Sequence, residues 1–328
     1  MTDSATDRSD ESHPPMTHTN GPLTLDPDDR VLVTGGAGFI GSHIAEWLAP
    51  DHAVTVYDTA SERPLDLPGV THVTGDVRDV STLRRHVVDA DVVFHEAAIA
   101  DVTRSVEEPT LTHETNLRGT LSVLDCARES GTRVVVASSA AVYGHPERVP
   151  IDEEHPKRPT TPYGLEKLAA DEYARLYADL YGLETVALRY FNVYGPRQGG
   201  GDYSGVITTF IRQALAGEDL TVHGDGTQTR DFVFVDDVVQ ANLLAATTDE
   251  VGESYNIGTG ESVTIRGLAE LVRRLTDADV DIVHTEPRSG DIDRSVADCA
   301  KARRALDFEP TVSLEEGLER TIDWFRAE

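Results

Sequence analysis

Cysteine is nearly absent from this chain of 328 residues: only Cys126 and Cys299 occur, without paired spacing. A disulfide framework and a cysteine zinc site are thereby excluded, no metal site is implied, and a reducing cytoplasm fits. Lysine is scarce too, with Lys157, Lys167 and Lys301 the only three among 29 basic residues. No apolar run approaches the ~18 residues of a membrane span. The N-terminus lacks the basic region and apolar stretch of a secretion signal. A soluble intracellular protein is expected.

Positive charge as a whole is short: 29 Lys plus Arg face 58 Asp plus Glu, for a formal net charge of −29. Such a body repels phosphate backbones and anionic bilayers, which excludes a broad surface for nucleic acid or membrane. Self-repulsion destabilises it at low salt, whereas the Debye length falls to ~3 Å near molar salt. Acid excess and lysine scarcity together favour a high-salt cytoplasm over an ordinary acidic cytosol.

Residues 1–27 are polar, rich in Asp, Ser, Thr and Pro, and read as a disordered tail. From Arg30 onward strand and helix signals alternate. Val31–Val33, Val54–Tyr57, Val70–Val73, Val92–Phe94, Val134–Ala137 and Thr185–Leu188 read as strands. Helices are expected over Ile40–Leu48, roughly 112–130 and roughly 162–181. The pattern predicts an α/β fold, a Rossmann-type doubly wound parallel sheet over 28–190. Residues 191–328 read mainly as a smaller mixed α/β region forming the other wall of a cleft. Segments near 230–258 are candidates to return to the main sheet.

Between the first strand and first helix, Gly35, Gly38 and Gly41 form G-x-x-G-x-x-G, with Phe39 and Ile40 opening the helix. Missing side chains permit a tight turn and close backbone approach to a pyrophosphate, and the helix N-terminus offers amide donors. Asp58 closes the second strand, where a carboxylate accepts from an adenosine ribose and repels a 2′-phosphate, so NAD is expected over NADP. Arg63 nearby opposes that preference. Asp76 and Val77 follow the third strand, beside the expected adenine; Ala97 follows the fourth, where a small residue lets the cofactor pass.

Ser139 follows the fifth strand. Thr161 and Pro162 then open a helix as N-cap and first-turn proline, and Tyr163 and Lys167 lie four apart on one face of it. A phenol ionises near pH 10. A neighbouring ammonium and the positive nicotinamide lower that value, so that Tyr163 takes a proton from a sugar hydroxyl while Ser139 orients it. Alone, Tyr-x-x-x-Lys is commonly a surface pair. Behind the serine and the glycine turn it reads as a catalytic set.

On these residues, together with Arg189–Asn192, Arg230–Phe232 and Arg288–Asp291, the chain resembles the extended short-chain dehydrogenase/reductases, specifically nucleotide-sugar epimerases of the UDP-glucose 4-epimerase kind. The resemblance runs from about Arg30 to the C-terminus. It implies NAD in the N-terminal domain and a nucleoside diphosphate sugar, expected to be UDP-linked, in the C-terminal one. Asn116 resembles the family's cofactor-pocket asparagine; Asn192, Arg230 and Arg288 its diphosphate contacts; Asp291 its ribose contact. Related dehydratases and decarboxylases carry an acid just after the catalytic Ser or Thr. Ala140 and Ala141 stand there, which leaves epimerisation at C4 through a 4-keto sugar. A dehydrogenase, a dehydratase and a non-catalytic NAD-binding regulator are the rival readings. Ser295, where some relatives carry a bulky tyrosine, is expected to admit an N-acetyl group. The family also implies a homodimer packed through the helices near 112–130 and 162–181.

Overall fold

Short runs of β-branched residues, apolar at nearly every position, favour strands buried on both faces. In the structure, a computed structural model, β1 (Arg30–Thr34), β2 (Ala53–Asp58), β3 (Val70–Thr74), β4 (Val92–His95), β5 (Arg133–Ser139), β6 (Thr185–Tyr190) and β7 (Glu253–Ile257) form such a sheet. Their order is 7-6-5-4-1-2-3, every neighbouring pair parallel. The described residues are 25–60, 68–199, 205–288 and 290–328, with two short paired strands at Thr17–His18 and Gly21–Pro22. Arg63, Ser289 and most of the expected tail lie outside them. Leu25 belongs to the packed body, 5% exposed against the core.

Helices α1 (Phe39–Leu48), α2 (Val80–Val88), α3 (Gly119–Ser130) and α4 (Pro162–Tyr181) alternate with the strands. The strand period of two divides the core. Val31 and Val33 of β1 pack with Ile44 and Leu48 of α1 on one face. Leu32 packs on the other, with Leu83 of α2, Val123 and Leu124 of α3 and Ala174 of α4. The N-terminal turn of α4 is built as expected: the Thr161 hydroxyl accepts from Gly164 N–H at 3.1 Å and Pro162 follows.

Of the later helices, α6 (Val235–Thr247) packs Val238, Val239 and Leu243 into the sheet core with α1, whereas α5 (Val206–Ala216), α7 (Ile265–Thr276) and α8 (Leu314–Ala327) form a second assembly with short strand pairs. Phe210, Leu220, Leu268 and Leu318 are among its buried side chains. The returning segments divide. Tyr255–Ile257 joins the sheet edge beside β6, whereas Phe232–Phe234 pairs with Asn192–Tyr194 outside the sheet. Among the described residues, no helix is long and apolar enough to cross a membrane.

Candidate active site

The C-terminal ends of β1 to β4 open onto a cavity of about 1020 Å³. Gly35, Gly38, Phe39, Ile40, Gly41, Asp58, Asp76, Val77 and Ala97 all line it. Gly35 has φ +72°, and a Cβ there would lie 2.6 Å from the Ala97 amide nitrogen, so this cradle admits only glycine. The first turn of α1 carries no side-chain cap, leaving its amides free for an anion. Asp58 accepts from Ala37 N–H at 3.0 Å and Ala60 N–H at 2.9 Å, which sets a carboxylate on the wall. A cradle for a pyrophosphate, an amide-rich helix end and a ribose-height carboxylate fit NAD.

Two expected cofactor residues are engaged otherwise. The Asp76 carboxylate is bound by the Arg78 guanidinium at 2.5 Å, and Arg78 also lines the cavity. That hydrogen bond holds Asp76 below the usual carboxylate range, with burial opposing. Asn116 is 2% exposed, on a widened π-type turn before α3. Its amide accepts from Ile99 N–H at 2.7 Å and donates to Ile99 C=O at 2.9 Å. It therefore shapes the cavity through Ile99, which lines the wall, while Asn116 itself does not.

The catalytic candidates meet at the end of β5. Ser139 accepts from Ala141 N–H at 3.2 Å and hydrogen-bonds the Tyr163 hydroxyl. Lys167, 7% exposed, donates to Ala137 C=O at 2.7 Å. Burial lowers its ammonium to about 8, opposed by the charge of Glu96. Burial also raises the Tyr163 phenol, the Ser139 hydrogen bond working against it. The expected lowering by Lys167 does not emerge in the protein alone, where burial and the charge of Glu96 raise the phenol and only Ser139 opposes them. Glu96 was legible only as a loop residue; it lines the cofactor cavity, and burial pushes it up to about 7.

Arg288 and Asp291 line a second cavity of about 1000 Å³, together with His223, Gln228, Arg266 and Arg294, which the sequence reading did not single out. Arg230 pairs with Asp291 and donates to Thr229 C=O at 2.8 Å and Ile292 C=O at 2.5 Å. Asn192 is turned elsewhere, its side-chain amide donating to Asp231 C=O at 2.9 Å. Arg230, Arg288 and Asp291 are thus gathered in one region, and Asn192 borders it through the Asp231 backbone.

A parallel sheet with a dinucleotide cradle at its carboxyl edge, and a Ser–Tyr–Lys set beside it, defines an NAD-dependent enzyme of the Rossmann class. The chain belongs to the NAD dependent epimerase/dehydratase family, whose sequence model matches residues 31–258. It is 38% identical to the UDP-glucose 4-epimerase of Thermotoga maritima, solved with UDP-glucose, at TM-score 0.87 over 91% of this chain and 99% of that one. The UDP-N-acetylglucosamine 4-epimerase of Methanobrevibacter ruminantium, solved with UDP-N-acetylmuramic acid, is 36% identical at TM-score 0.88, covering 92% and 99%. A UDP-N-acetyl-α-D-glucosaminuronate decarboxylase of Bacillus cytotoxicus is 38% identical over 315 residues, 90% of this chain and 98% of its own.

Proposed function

We propose that this enzyme epimerises a UDP-sugar at C4, interconverting UDP-glucose and UDP-galactose and accepting UDP-N-acetylglucosamine. The observation that carries the reading is the turn after Ser139. Ala140–Tyr143 contains no carboxylate, so the acid that assists elimination in related dehydratases is missing, while the groups for reversible oxidation remain. Ser139 orients the C4 hydroxyl, and Tyr163 takes its proton and later returns it. Bound NAD supplies the acceptor and donor of hydride. Arg230 and Arg288 offer positive charge to the diphosphate on an otherwise acidic body. Rotation of the 4-keto sugar between the two transfers inverts C4.

Ser295 is small where a tyrosine would crowd C2, which supports acceptance of an acetamido group there. Incubation with UDP-glucose and with UDP-N-acetylglucosamine, at low and molar salt, tests the reading. Both are expected to reach mixtures with their C4 epimers, faster in high salt, without net NADH. Stoichiometric NADH would instead favour the dehydrogenase reading, and failure of the acetylated sugar alone would remove the Ser295 assignment.

A homodimer in a high-salt cytoplasm completes the reading. Leu165, Tyr173, Leu176 and Leu180 of α4 are 55%, 37%, 45% and 66% exposed, at spacings that share one helical face. A second copy of this chain would bury that stripe. Leu176→Glu with Leu180→Glu is expected to convert a dimer into a monomer by light scattering; an unchanged mass would exclude this face.

A further inference from the structure

Glu96 stands at the junction of the cofactor cavity and the catalytic helix. Its backbone continues β4, with Glu96 N–H donating to Thr34 C=O at 3.0 Å, and its side chain lines the cavity beside Ala97. The Tyr190 hydroxyl donates to Glu96 Oε1 at 2.9 Å. Tyr190 is itself fixed: the buried Asn242 amide donates to its oxygen at 2.9 Å, and of the two acceptors for the phenolic hydrogen Glu96 Oε1 at 2.9 Å is nearer than Asn242 Oδ1 at 3.1 Å. The Tyr190 donor favours the anion of Glu96 and opposes the burial that raises it to about 7, so the carboxylate is charged above that pH.

Tyr190 reaches it from β6, with Asn242 of α6 behind; His95 pairs with Val136, so Glu96 follows beside Ala137, the residue whose carbonyl holds Lys167 of α4 at 2.7 Å. The neighbouring His95 points to the opposite face, where it bonds Thr34 and Thr120. Among the described residues, the ionisable groups that respond to the charge of Glu96 include Lys167 and Tyr163, both of which it pushes towards their protonated forms.

We propose that Glu96, anchored by Tyr190 on the wall of the cofactor cavity, is a third charged member of the catalytic centre, a positioning residue acting on Lys167 and Tyr163 rather than on the sugar. The anion keeps Lys167 an ammonium despite its burial. It also holds Tyr163 as a phenol until cofactor and substrate enter. This assignment rests on Tyr163 and Lys167 carrying the proton chemistry.

The pH profile of kcat/KM for UDP-glucose, measured on the full chain, tests it. Glu96→Gln keeps size and an oxygen for Tyr190 while removing the charge. Lys167 then loses its proton at lower pH, and Tyr163 ionises at lower pH. Both limbs of the bell are expected to move acidward by about 1 unit. Tyr190→Phe strips the carboxylate of its donor, so Glu96 protonates more readily and the profile moves the same way by less. Glu96→Asp retains the charge and is expected to restore the wild-type midpoints. Profiles that fall in height without moving would make Glu96 a packing residue and overturn the proposal. Should the wild type accumulate reduced cofactor instead of epimer, the epimerase reading fails, and the same profile followed by cofactor reduction still decides the role of Glu96.

Discussion

Tyr163→Phe is expected to lower kcat by about 10³-fold or more while NAD binding persists. The substitution removes one oxygen and leaves the ring that packs in the site. That oxygen is the partner of Ser139, and it belongs to a group whose ionisation is opposed by burial and assisted by Ser139. Ser139 can orient a hydroxyl but is a poor base, and Lys167 is engaged with the Ala137 carbonyl at 2.7 Å. Neither replaces the phenol. The glycine cradle and Asp58 lie on the cavity wall formed by β1 and β2, so cofactor affinity measured by fluorescence titration is expected to stay within a few-fold. A variant retaining more than about a tenth of wild-type kcat would remove Tyr163 from the acid–base role.

Asp171→Ala is expected to destabilise the fold by about 3–5 kcal/mol, measured by urea unfolding in high salt. Asp171 and Arg189 are 0% and 1% exposed. The guanidinium donates to the carboxylate at 2.8 and 3.0 Å, and the Ser138 and Ser254 hydroxyls donate at 2.8 and 2.7 Å. Removing the anion strands a buried cation, the costly half of a broken pair. Burial pulls the Asp171 carboxyl up, but Arg189 and the two serines outweigh it and hold it below the usual range. A depressed folded value means that this stabilisation is present above the ordinary carboxylate range and is lost as pH falls through the folded value. The difference between wild type and variant is therefore expected to shrink in acid. A loss below about 1 kcal/mol at neutral pH would contradict the network. Because Ser138 precedes Ser139 and Asp171 lies one turn beyond Lys167, the same network clamps α4 against β5 and sets the spacing of the catalytic groups.

Much of this centre was legible where chemistry is local. Thr161 and Pro162 start α4 because a hydroxyl acceptor and a proline suit a helix N-terminus. Tyr163 and Lys167 share a face because a helix repeats every 3.6 residues. The glycine turn was readable for the same reason, its geometry depending on missing side chains within a few residues. Asn116 was readable as a cofactor-pocket residue by resemblance alone. Its bonds to Ile99 come from the packing of the π-type turn against the loop after β4. Arg78 gave no comparable signal, since its importance lies in the carboxylate it meets rather than in its spacing.

The order of strands and helices, the dinucleotide cradle and the placing of Tyr163 and Lys167 on one helix face were determined by the sequence itself, through periodicity, turn chemistry and capping that act over a few residues. Only the tertiary structure decided that Tyr255–Ile257 completes the sheet edge, that Arg230 meets Asp291 across 61 residues, and that Tyr190 anchors Glu96 across 94. Such meetings depend on which surfaces are buried together when the chain collapses. Burial then supplies what residue type alone does not, raising the Glu96 carboxyl to about 7 and lowering Lys167 to about 8 within one site.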